Sequence, residues 1–447
     1  MSLAVLELND VELTVGDAGG ILARSPGFAH LAPDAPVVGE AARSRARLDP
    51  RRTISQFWQR LGTEPLHLAT PHARHHADLA YHQLLHLHEL AGKPPELLLA
   101  VPGSFAREQL AVLLGIAERC PFRATGLVDS ALAAASTVVL PGAALHLELQ
   151  LHQCVLTRLV REDGMLVRSE VRTVPGAGLA QLQERWARRA AAAFIQQTRF
   201  DPLHAAAPEQ QLCDRLPEWL AALSAEDDVT AELQQGPNRY RVTLRAGEML
   251  DAVHPVYEQL LEALARDCGD GALLLGAHAA RLPRLAERVP GAIMLDAEAA
   301  IRGALQHAAL IRGTDRALRF VTRLPARPAA PAAAPAAAAT TELPVAAAAP
   351  THLVAGARAL RLEPGTLYLQ GDDETGWSLA RTASATSRCI LEWNGRGWRA
   401  AAPPGVLLRI DGLPAPTSTP VHGGTRLGIQ DATLFFVTET VADTDAA

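Results

Sequence analysis

The sequence of 447 residues lacks several features that mark specialised classes of protein. Its five cysteines include no CxxC pair, which argues against a disulfide framework and a zinc ribbon. Its 42 basic residues are outnumbered by 48 acidic ones and only 4% of its residues are aromatic, so nothing predicts a nucleic-acid surface. No apolar run reaches the roughly 18 residues that span a bilayer, so we expect no membrane insertion.

The start of the chain also lacks the basic stretch that opens a signal peptide, because acidic residues follow the first apolar ones at once. We therefore expect a cytoplasmic protein. Since one hydrophobic core stops growing at roughly 250 to 300 residues, the length predicts two or three domains.

The clearest boundary in the sequence is an alanine- and proline-rich stretch. Prolines interrupt each alanine run before a helix can propagate, and no large side chain is available for burial. We predict a semi-rigid linker over residues 325–352. It separates an N-terminal body, residues 1–324, from a module at 353–440, and a disordered tail follows at 441–447.

Within the N-terminal body, the hydrophobic period changes repeatedly between two and about 3.6 residues. Alternating apolar residues around Asn9 and Asp10 predict a hairpin, and amphipathic patterns predict helices over residues 53–61 and 74–90. The order of a strand meander, helices and a buried strand then returns after residue 145. The sequence therefore predicts an α/β fold of two similar lobes with a cleft between them.

Five segments of this body resemble DnaK-type heat-shock chaperones in order, spacing and helix phase. They are VVGEAARSRARLDPRRTISQFWQRLG (37–62), the stretch from LLLAVPGSF to LVDSALAAAS (97–136), RYRVTLRAGEML (239–250), GALLLGAHAARLP (271–283) and AEAAIRGALQHAAL (297–310). The resemblance covers roughly residues 3–311. It implies a duplicated, two-lobed actin-like ATPase fold.

The family holds ATP between two glycine-rich hairpins, because glycine lets backbone N–H groups approach the phosphates closely. This chain reads LELNDVEL and LELQLHQCVL at the two hairpins, so Gln150, Leu151 and His152 stand at glycine positions. Trp58 stands near the place of the phosphate-contacting lysine. Asp10 replaces a hydroxyl residue and would repel a triphosphate. The sequence therefore predicts a degenerate site.

The resemblance also implies which residues lie at that site. Glu7, Asp129 and Glu148 fall on or beside carboxylates that organise magnesium and the attacking water in the family. Asn9 and Asp10 lie in the first hairpin, and Gly276 is the retained glycine of the adenosine loop. Without the other glycines and the lysine, we predict no catalytic residue and no cofactor, and binding of ATP and magnesium stays open as the alternative.

After the linker, short alternating strands separated by Gly, Pro and Asp turns predict a small all-β sandwich. Residues 357–439 resemble a forkhead-associated domain, a module that commonly recognises phosphothreonine. The resemblance implies partner-binding roles for four residues, which are Arg381, Ser387, Arg388 and Asp411. Guanidinium and hydroxyl groups are the donors that a phosphate requires.

Seven histidines lie between His67 and His88, and two pairs of them, His72 with His76 and His82 with His86, have the spacing of a helical metal chelate. No cysteine accompanies them. The pattern predicts a solvated helix surface, with no metal site.

The sequence supports three functional hypotheses. The leading one is a non-catalytic adaptor or assembly factor, a pseudo-ATPase whose forkhead-associated-like module binds protein partners. The first alternative is an ATP-dependent, chaperone-like enzyme with a rebuilt site. The second alternative is a reader of phosphothreonine peptides, which requires a phosphorylated partner.

Overall fold

The structure is a computed structural model, and it describes most of the chain. The described residues are 3–269, 271–313, 318–327, 350–355, 358–372, 376–384, 386–393, 397–403, 406, 408–410, 413, 414, 419–421, 425–429 and 432–437. The chain forms two compact units, Met1–Ala334 and Pro335–Ala447. Most of the predicted linker (328–349) and the predicted tail (441–447) lie outside the described residues.

The first unit mixes helices and strands along its whole length. Its strands are β1 (Ala4–Glu7), β2 (Leu13–Asp17), β3 (Gly20–Ser25), β4 (Ala29–His30), β5 (Val37–Val38), β6 (Thr53–Ile54), β7 (Pro65–Thr70), β8 (Ala73–His75), β9 (Glu96–Val101), β10 (Arg123–Asp129), β11 (Ala144–Leu149), β12 (Gln153–Glu162), β13 (Met165–Pro175), β14 (Asp228–Gln235), β15 (Asn238–Arg245), β16 (Ala272–Leu275), β17 (Ile293–Met294), β18 (Phe320–Val321) and β19 (Arg323–Pro325). Its helices are α1 (Glu40–Arg43), α2 (His76–Leu90), α3 (Arg107–Ala117), α4 (Ser130–Ala135), α5 (Leu179–Thr198), α6 (Ala206–Ala222), α7 (Ala246–Cys268), α8 (Ala277–Ala280), α9 (Leu285–Arg288), α10 (Ala299–Gln306) and α11 (Ala308–Ile311).

Two six-stranded sheets organise this unit, and they share one pattern of connections. The first sheet has the order β18-β10-β9-β1-β2-β3, and the second has the order β17-β16-β11-β12-β13-β19. In each sheet, an antiparallel meander of three strands continues on one side into strands that run parallel to the first strand of the meander. The mixed α/β architecture therefore contains two sheets with a similar order of strands, and we call each sheet with the helices packed on it a lobe.

Short helices fill the space between the two sheets. Helices α4 and α10 lie in an apolar core that includes strand residues of both lobes. At Gly303, an added Cβ atom would lie 1.8 Å from the carbonyl oxygen of Ala133, so the two helices touch through their backbones. This contact needs a residue without a side chain, and it lies in the core that contains strand residues of both sheets.

Longer helices cover the outer faces of the sheets and close a separate core in each lobe. Helices α2 and α3 pack on the first sheet, and α5 and α7 pack on the second. Apolar residues at helical spacing bury one stripe of α5, including Leu182 and Trp186. That helix ends where Arg199 adopts a left-handed conformation, at φ 63°.

The predicted helix over residues 53–61 is wrong. Strand β6 pairs instead with β4, with Ile54 opposite Ala29, and turns follow. Phe57, Trp58 and Leu61 are buried there. These side chains reach the apolar core from turns. No helix forms, because the pairing of β6 with β4 leaves too few residues for a stable one.

The second unit contains only strands among its described residues. They are β20 (His352–Ala355), β21 (Arg358–Arg361), β22 (Thr366–Gln370), β23 (Ser378–Ala380), β24 (Ser387–Trp393), β25 (Trp398–Ala401), β26 (Leu408–Ile410), β27 (Leu413–Pro414), β28 (Thr419–Val421), β29 (Arg426–Ile429) and β30 (Ala432–Val437). They form two antiparallel sheets, β21-β20-β30-β29-β26-β27 and β23-β22-β24-β25-β28. Alternating residues of both sheets share one apolar core, which includes Cys389, Trp398 and Phe436. No helix in the described part of the chain is long and apolar enough to cross a membrane.

Candidate functional site

The tips of two hairpins meet where the lobes face each other. The β1–β2 hairpin carries Asn9 and Asp10, and the β11–β12 hairpin carries residues 150–152. The amide of Asn9 donates to Glu148 Oε1 at 3.2 Å and to the carbonyl oxygen of Leu149 at 3.1 Å. The backbone N–H of Leu151 donates to Asp10 Oδ1 at 2.7 Å. Each tip therefore uses its polar groups to hold the other.

Side chains occupy the three positions of the second hairpin where the resemblance implies glycine. Leu151 is buried, and Gln150 accepts a hydrogen bond from Gln153 at 2.8 Å. The Nε2 atom of His152 lies 3.0 Å from the hydroxyl of Ser55 in the opposite lobe. Burial or hydrogen bonds within the fold therefore hold all three side chains in place.

Little space remains around these tips. One cavity, bordered by Asp10, Trp58 and Gln150, measures about 20 Å³. A second, bordered by Glu7, Asn9 and Glu148, measures about 40 Å³. One water needs roughly 10 to 15 Å³ on this measure, so each cavity has room for a few waters at most.

The residues at the hairpins do not fit a nucleotide triphosphate with magnesium. Phosphate cradles depend on backbone N–H groups that are free to donate to the phosphate oxygens. Here the N–H of Leu151 already donates to the carboxylate of Asp10. Trp58, near the expected lysine position, is buried and donates its indole N–H to Gln83 at 2.6 Å, so it supplies no positive charge.

Three carboxyl groups near the tips hold protons more tightly than usual. Burial raises the pKa of Glu7 to about 7 and that of Asp10 to about 7, although the Leu151 N–H acts in the opposite direction at Asp10. Burial and repulsion from Glu7 raise the pKa of Glu148 to about 8, although hydrogen bonds from Gln150 and Ser130 oppose this shift. Near neutral pH, each of these groups is therefore protonated in a large share of the molecules.

Asp129 and Gly276 lie close to this region in structural roles. Asp129 is fully buried, accepts the backbone N–H of Leu132 at 2.9 Å as the N-cap of α4, and pairs with Arg168 at 2.9 Å. Gly276 is the N-cap of α8 and borders the same cavity as Glu7 and Glu148. Beside it, burial lowers the pKa of His146 to about 4, so this ring is neutral. Asp129 is not among the residues that border either cavity.

A second bridge between the lobes escaped the sequence reasoning. The backbone N–H of Arg47 donates to Gln210 Oε1 at 2.7 Å, and its guanidinium pairs with Glu184 at 2.9 Å and with Glu209 at 3.1 Å. The only signal in the sequence is a run of arginines between residues 43 and 52, which does not reveal the partners. This bridge joins the lobes in addition to the hairpin contacts and the core around α4 and α10.

In the second unit, the predicted phosphate-binding residues have separate surroundings. Arg381 is exposed and pairs with Glu363 at 2.8 Å. The buried hydroxyl of Ser387 accepts the backbone N–H of Ser384 at 2.9 Å. The Nε atom of Arg388 is buried and has no hydrogen-bond partner among the described residues. The fourth predicted residue, Asp411, lies outside the described part of the chain.

The histidine-rich stretch does not gather into a cluster. His82 and His86 lie on α2, whereas His72 lies in the turn before β8 and its carbonyl oxygen faces His82 Nε2 at 3.2 Å. Throughout the described residues, no group of three His, Cys, Asp or Glu side chains is placed to hold a metal ion.

Comparison of the sequence with known proteins identifies no related protein. No protein-family model matches the sequence, and no curated protein is similar to it.

We expect Asn9→Ala to lower the unfolding free energy of the first unit by about 1 to 3 kcal/mol, because Glu148 and the carbonyl of Leu149 lose a buried donor. Urea denaturation followed by far-ultraviolet circular dichroism measures this change. The matched control Asn238→Ala changes the exposed first residue of β15 and should change stability by less than about 0.5 kcal/mol. Equal effects of the two substitutions would contradict the hairpin contact.

Proposed function

We propose that the protein is a non-catalytic adaptor or assembly factor, a pseudo-ATPase with a degenerate DnaK-type, actin-like fold and a forkhead-associated-like module. The first unit is a rigid scaffold in this proposal. The second unit is the partner-binding module. The alanine- and proline-rich stretch between them lets one partner or complex engage both units at a raised effective concentration.

Two features support the actin-like assignment of the first unit. The connection pattern of one sheet is repeated in the other, as a duplicated fold requires. Two short helices, α4 and α10, lie between the sheets and pack in a core that contains strand residues of both. The antiparallel strands and shared core of the second unit support the sandwich assignment in the same way.

The hydrogen bond from the Leu151 N–H to Asp10 is the observation that carries the proposal. It joins the two hairpins at the point where the resemblance expects phosphate oxygens, and it places a carboxyl group there instead. Phosphoryl transfer depends on positioning and on neutralising the charge of the phosphates. A buried acidic group neither positions the phosphates nor neutralises their charge.

Phosphate release from ATP in the presence of magnesium tests the proposal. We expect the full-length protein and its Glu148→Gln variant to release phosphate at the rate of buffer alone. If the wild type turns over ATP and Glu148→Gln does not, the protein is the alternative enzyme with a rebuilt site. That result would overturn the adaptor proposal.

Recognition of phosphothreonine is a second candidate function, favoured by one observation. Arg381 is exposed at the end of β23, and the hydroxyls of Ser384 and Thr386 lie in the loop that follows, 2.8 Å from each other. Guanidinium and hydroxyl groups are the donors that suit a phosphate, and residues 381–386 carry both within one short segment. The ion pair between Arg381 and Glu363 is exposed, so a phosphate can compete with it at little cost.

A phosphothreonine peptide library, followed by fluorescence anisotropy, tests this second candidate. Binding by the wild type should be lost in Arg381→Ala and kept in Arg361→Ala, an exposed arginine on β21 of the same unit. Failure of the wild type to prefer the library over its unphosphorylated counterpart would eliminate phosphothreonine reading and leave the adaptor proposal standing.

A further inference from the structure

A space of ligand size lies in the first unit, directly beside the hairpin tips. A cleft of about 640 Å³ lies between the lobes, bordered by Val11 and Phe28 on one side and by Trp186 and Leu216 on the other. Small-molecule sites in proteins measure about 300 to 1,000 Å³. The cavities at the tips measure about 20 and 40 Å³. The fold therefore keeps a full-sized cleft next to a closed phosphate region.

The walls of the cleft are mostly apolar. Leu149 and Leu151 border it from the second hairpin, and Leu282 and Pro283 border it from the segment after α8. The indole N–H of Trp186 donates to the carbonyl oxygen of Met249 at 3.1 Å, so this ring has no free donor for a ligand. Such walls favour an occupant that buries apolar surface.

The charged groups around the cleft compensate each other, with one exception. Arg43 forms two hydrogen bonds of 2.8 Å with Glu40, and Glu12 lies 3.5 Å from Arg24. Burial and nearby arginines lower the pKa of His278 to about 4, so that ring is neutral.

Arg281 is the exception. It is exposed at the border of the cleft, and it forms no ion pair within the described residues. The border of this apolar cleft therefore carries one positive charge that no ion pair compensates within the described residues.

Contacts between the lobes connect the walls of the cleft. The hairpin contacts hold one edge of the cleft, and the bridge from Arg47 to Glu184 and Glu209 holds the region next to Arg43 and Gln183. A cleft that is preformed loses little conformational entropy on binding, which favours affinity.

We infer that this cleft binds an apolar small molecule with a single acidic group, which pairs with Arg281. The apolar walls exclude a strongly hydrophilic ligand, and a single free guanidinium does not balance a polyphosphate. The inference does not depend on the adaptor proposal, because it concerns a space that the hairpin tips do not occupy.

Two fluorescent probes that differ by one acidic group test the charge. Anilinonaphthalene sulfonate carries a sulfonate, and phenylnaphthylamine is its neutral counterpart. In titrations of the full-length protein, we expect saturable binding of both probes and tighter binding of the sulfonate. Arg281→Gln should weaken sulfonate binding roughly 3- to 10-fold and leave the neutral probe unchanged, as for an ion pair at a solvent-exposed edge. Arg266→Gln, an exposed arginine on α7 outside the cleft, should change neither.

A bulky side chain in the cleft tests the place of binding. Ala221 is exposed near the end of α6 and borders the cleft, so Ala221→Trp should fill part of it and abolish binding of both probes. Ala207→Trp lies on the first turn of the same helix, outside the cleft, and should bind like the wild type. Circular dichroism and thermal unfolding establish that both variants are folded.

Competition identifies the class of ligand. Decanoate, an aliphatic chain with one carboxylate, should displace the sulfonate probe, whereas adenosine should not. The inference would be overturned if adenosine displaced the probe and decanoate did not. Probe binding that Ala221→Trp leaves unchanged would overturn it as well. The absence of ATP turnover has no bearing on either outcome, so this inference and the adaptor proposal fail in different experiments.

Discussion

Replacing Gly303 with alanine should prevent the first unit from reaching its native packing. The added Cβ atom would lie 1.8 Å from the carbonyl oxygen of Ala133 and 2.9 Å from the hydroxyl of Ser136. The nearest obstacle is backbone, so no side-chain rotation relieves the overlap, and α4 and α10 must move apart inside a closely packed core. We expect a loss of at least about 3 kcal/mol of unfolding free energy, or no folded protein.

Gly115→Ala is the matched control for this substitution. Gly115 is an exposed glycine in α3, and no atom lies near the position of an added Cβ. Alanine there should stabilise the helix by about 0.5 to 1 kcal/mol. Urea denaturation followed by the helical circular dichroism signal reports on the first unit, because every described helix belongs to it. A folded Gly303→Ala with unchanged stability would contradict the contact between α4 and α10.

The stability of the first unit should fall as the pH rises through neutrality. The pKa of Glu148 is raised in the folded state, from 4.5 to about 8, so folding favours the protonated carboxyl group. Its contribution is fully present below pH 4.5 and is lost as the pH rises through about 8. One group of this kind changes the unfolding free energy by about 1.4 kcal/mol per pH unit within that window. Glu7 and Asp10, with pKa values raised to about 7, act in the same direction.

The variant Glu148→Gln should flatten this dependence, because the amide resembles the protonated carboxyl group and never ionises. Above pH 8 it should be more stable than the wild type by a few kcal/mol, as the pKa shift implies. Glu108→Gln, on the exposed face of α3, should leave the curve unchanged. Urea denaturation at a series of pH values measures all three curves. The buried histidines His146 and His278, with pKa values lowered from 6.5 to about 4, make stability rise with pH only below about 6.5. Wild-type stability that rises between pH 6.5 and 8 would therefore refute the buried, protonated cluster.

The sequence predicts much of the local structure, because long amphipathic patterns fix helices without help from the rest of the fold. The predicted helix over residues 74–90 corresponds to α2, His76–Leu90, and the hairpin around Asn9 and the strand meander after residue 145 are confirmed. The helix over residues 53–61 is wrong, since pairing with β4 decides that segment and no local pattern reports it.

The sequence predicts which residues lie at the candidate site, but not which partners they contact. Residue types alone indicate that Gln150, Leu151 and His152 cannot cradle phosphate, whereas their new partners depend on contacts across the lobes. The bond from Leu151 to Asp10 joins residues 141 positions apart. The Arg47 bridge and the apolar cleft arise in the same way from chain segments that only the fold brings together.

Calorimetric titration of the full-length protein with ATP in the presence of magnesium tests the central claim most directly. The closed hairpin tips predict no heat beyond that of dilution, because the Leu151 N–H already donates to Asp10 and the tips carry the carboxyl group of Asp10. Saturable binding with a roughly micromolar dissociation constant, together with measurable turnover, would contradict the account.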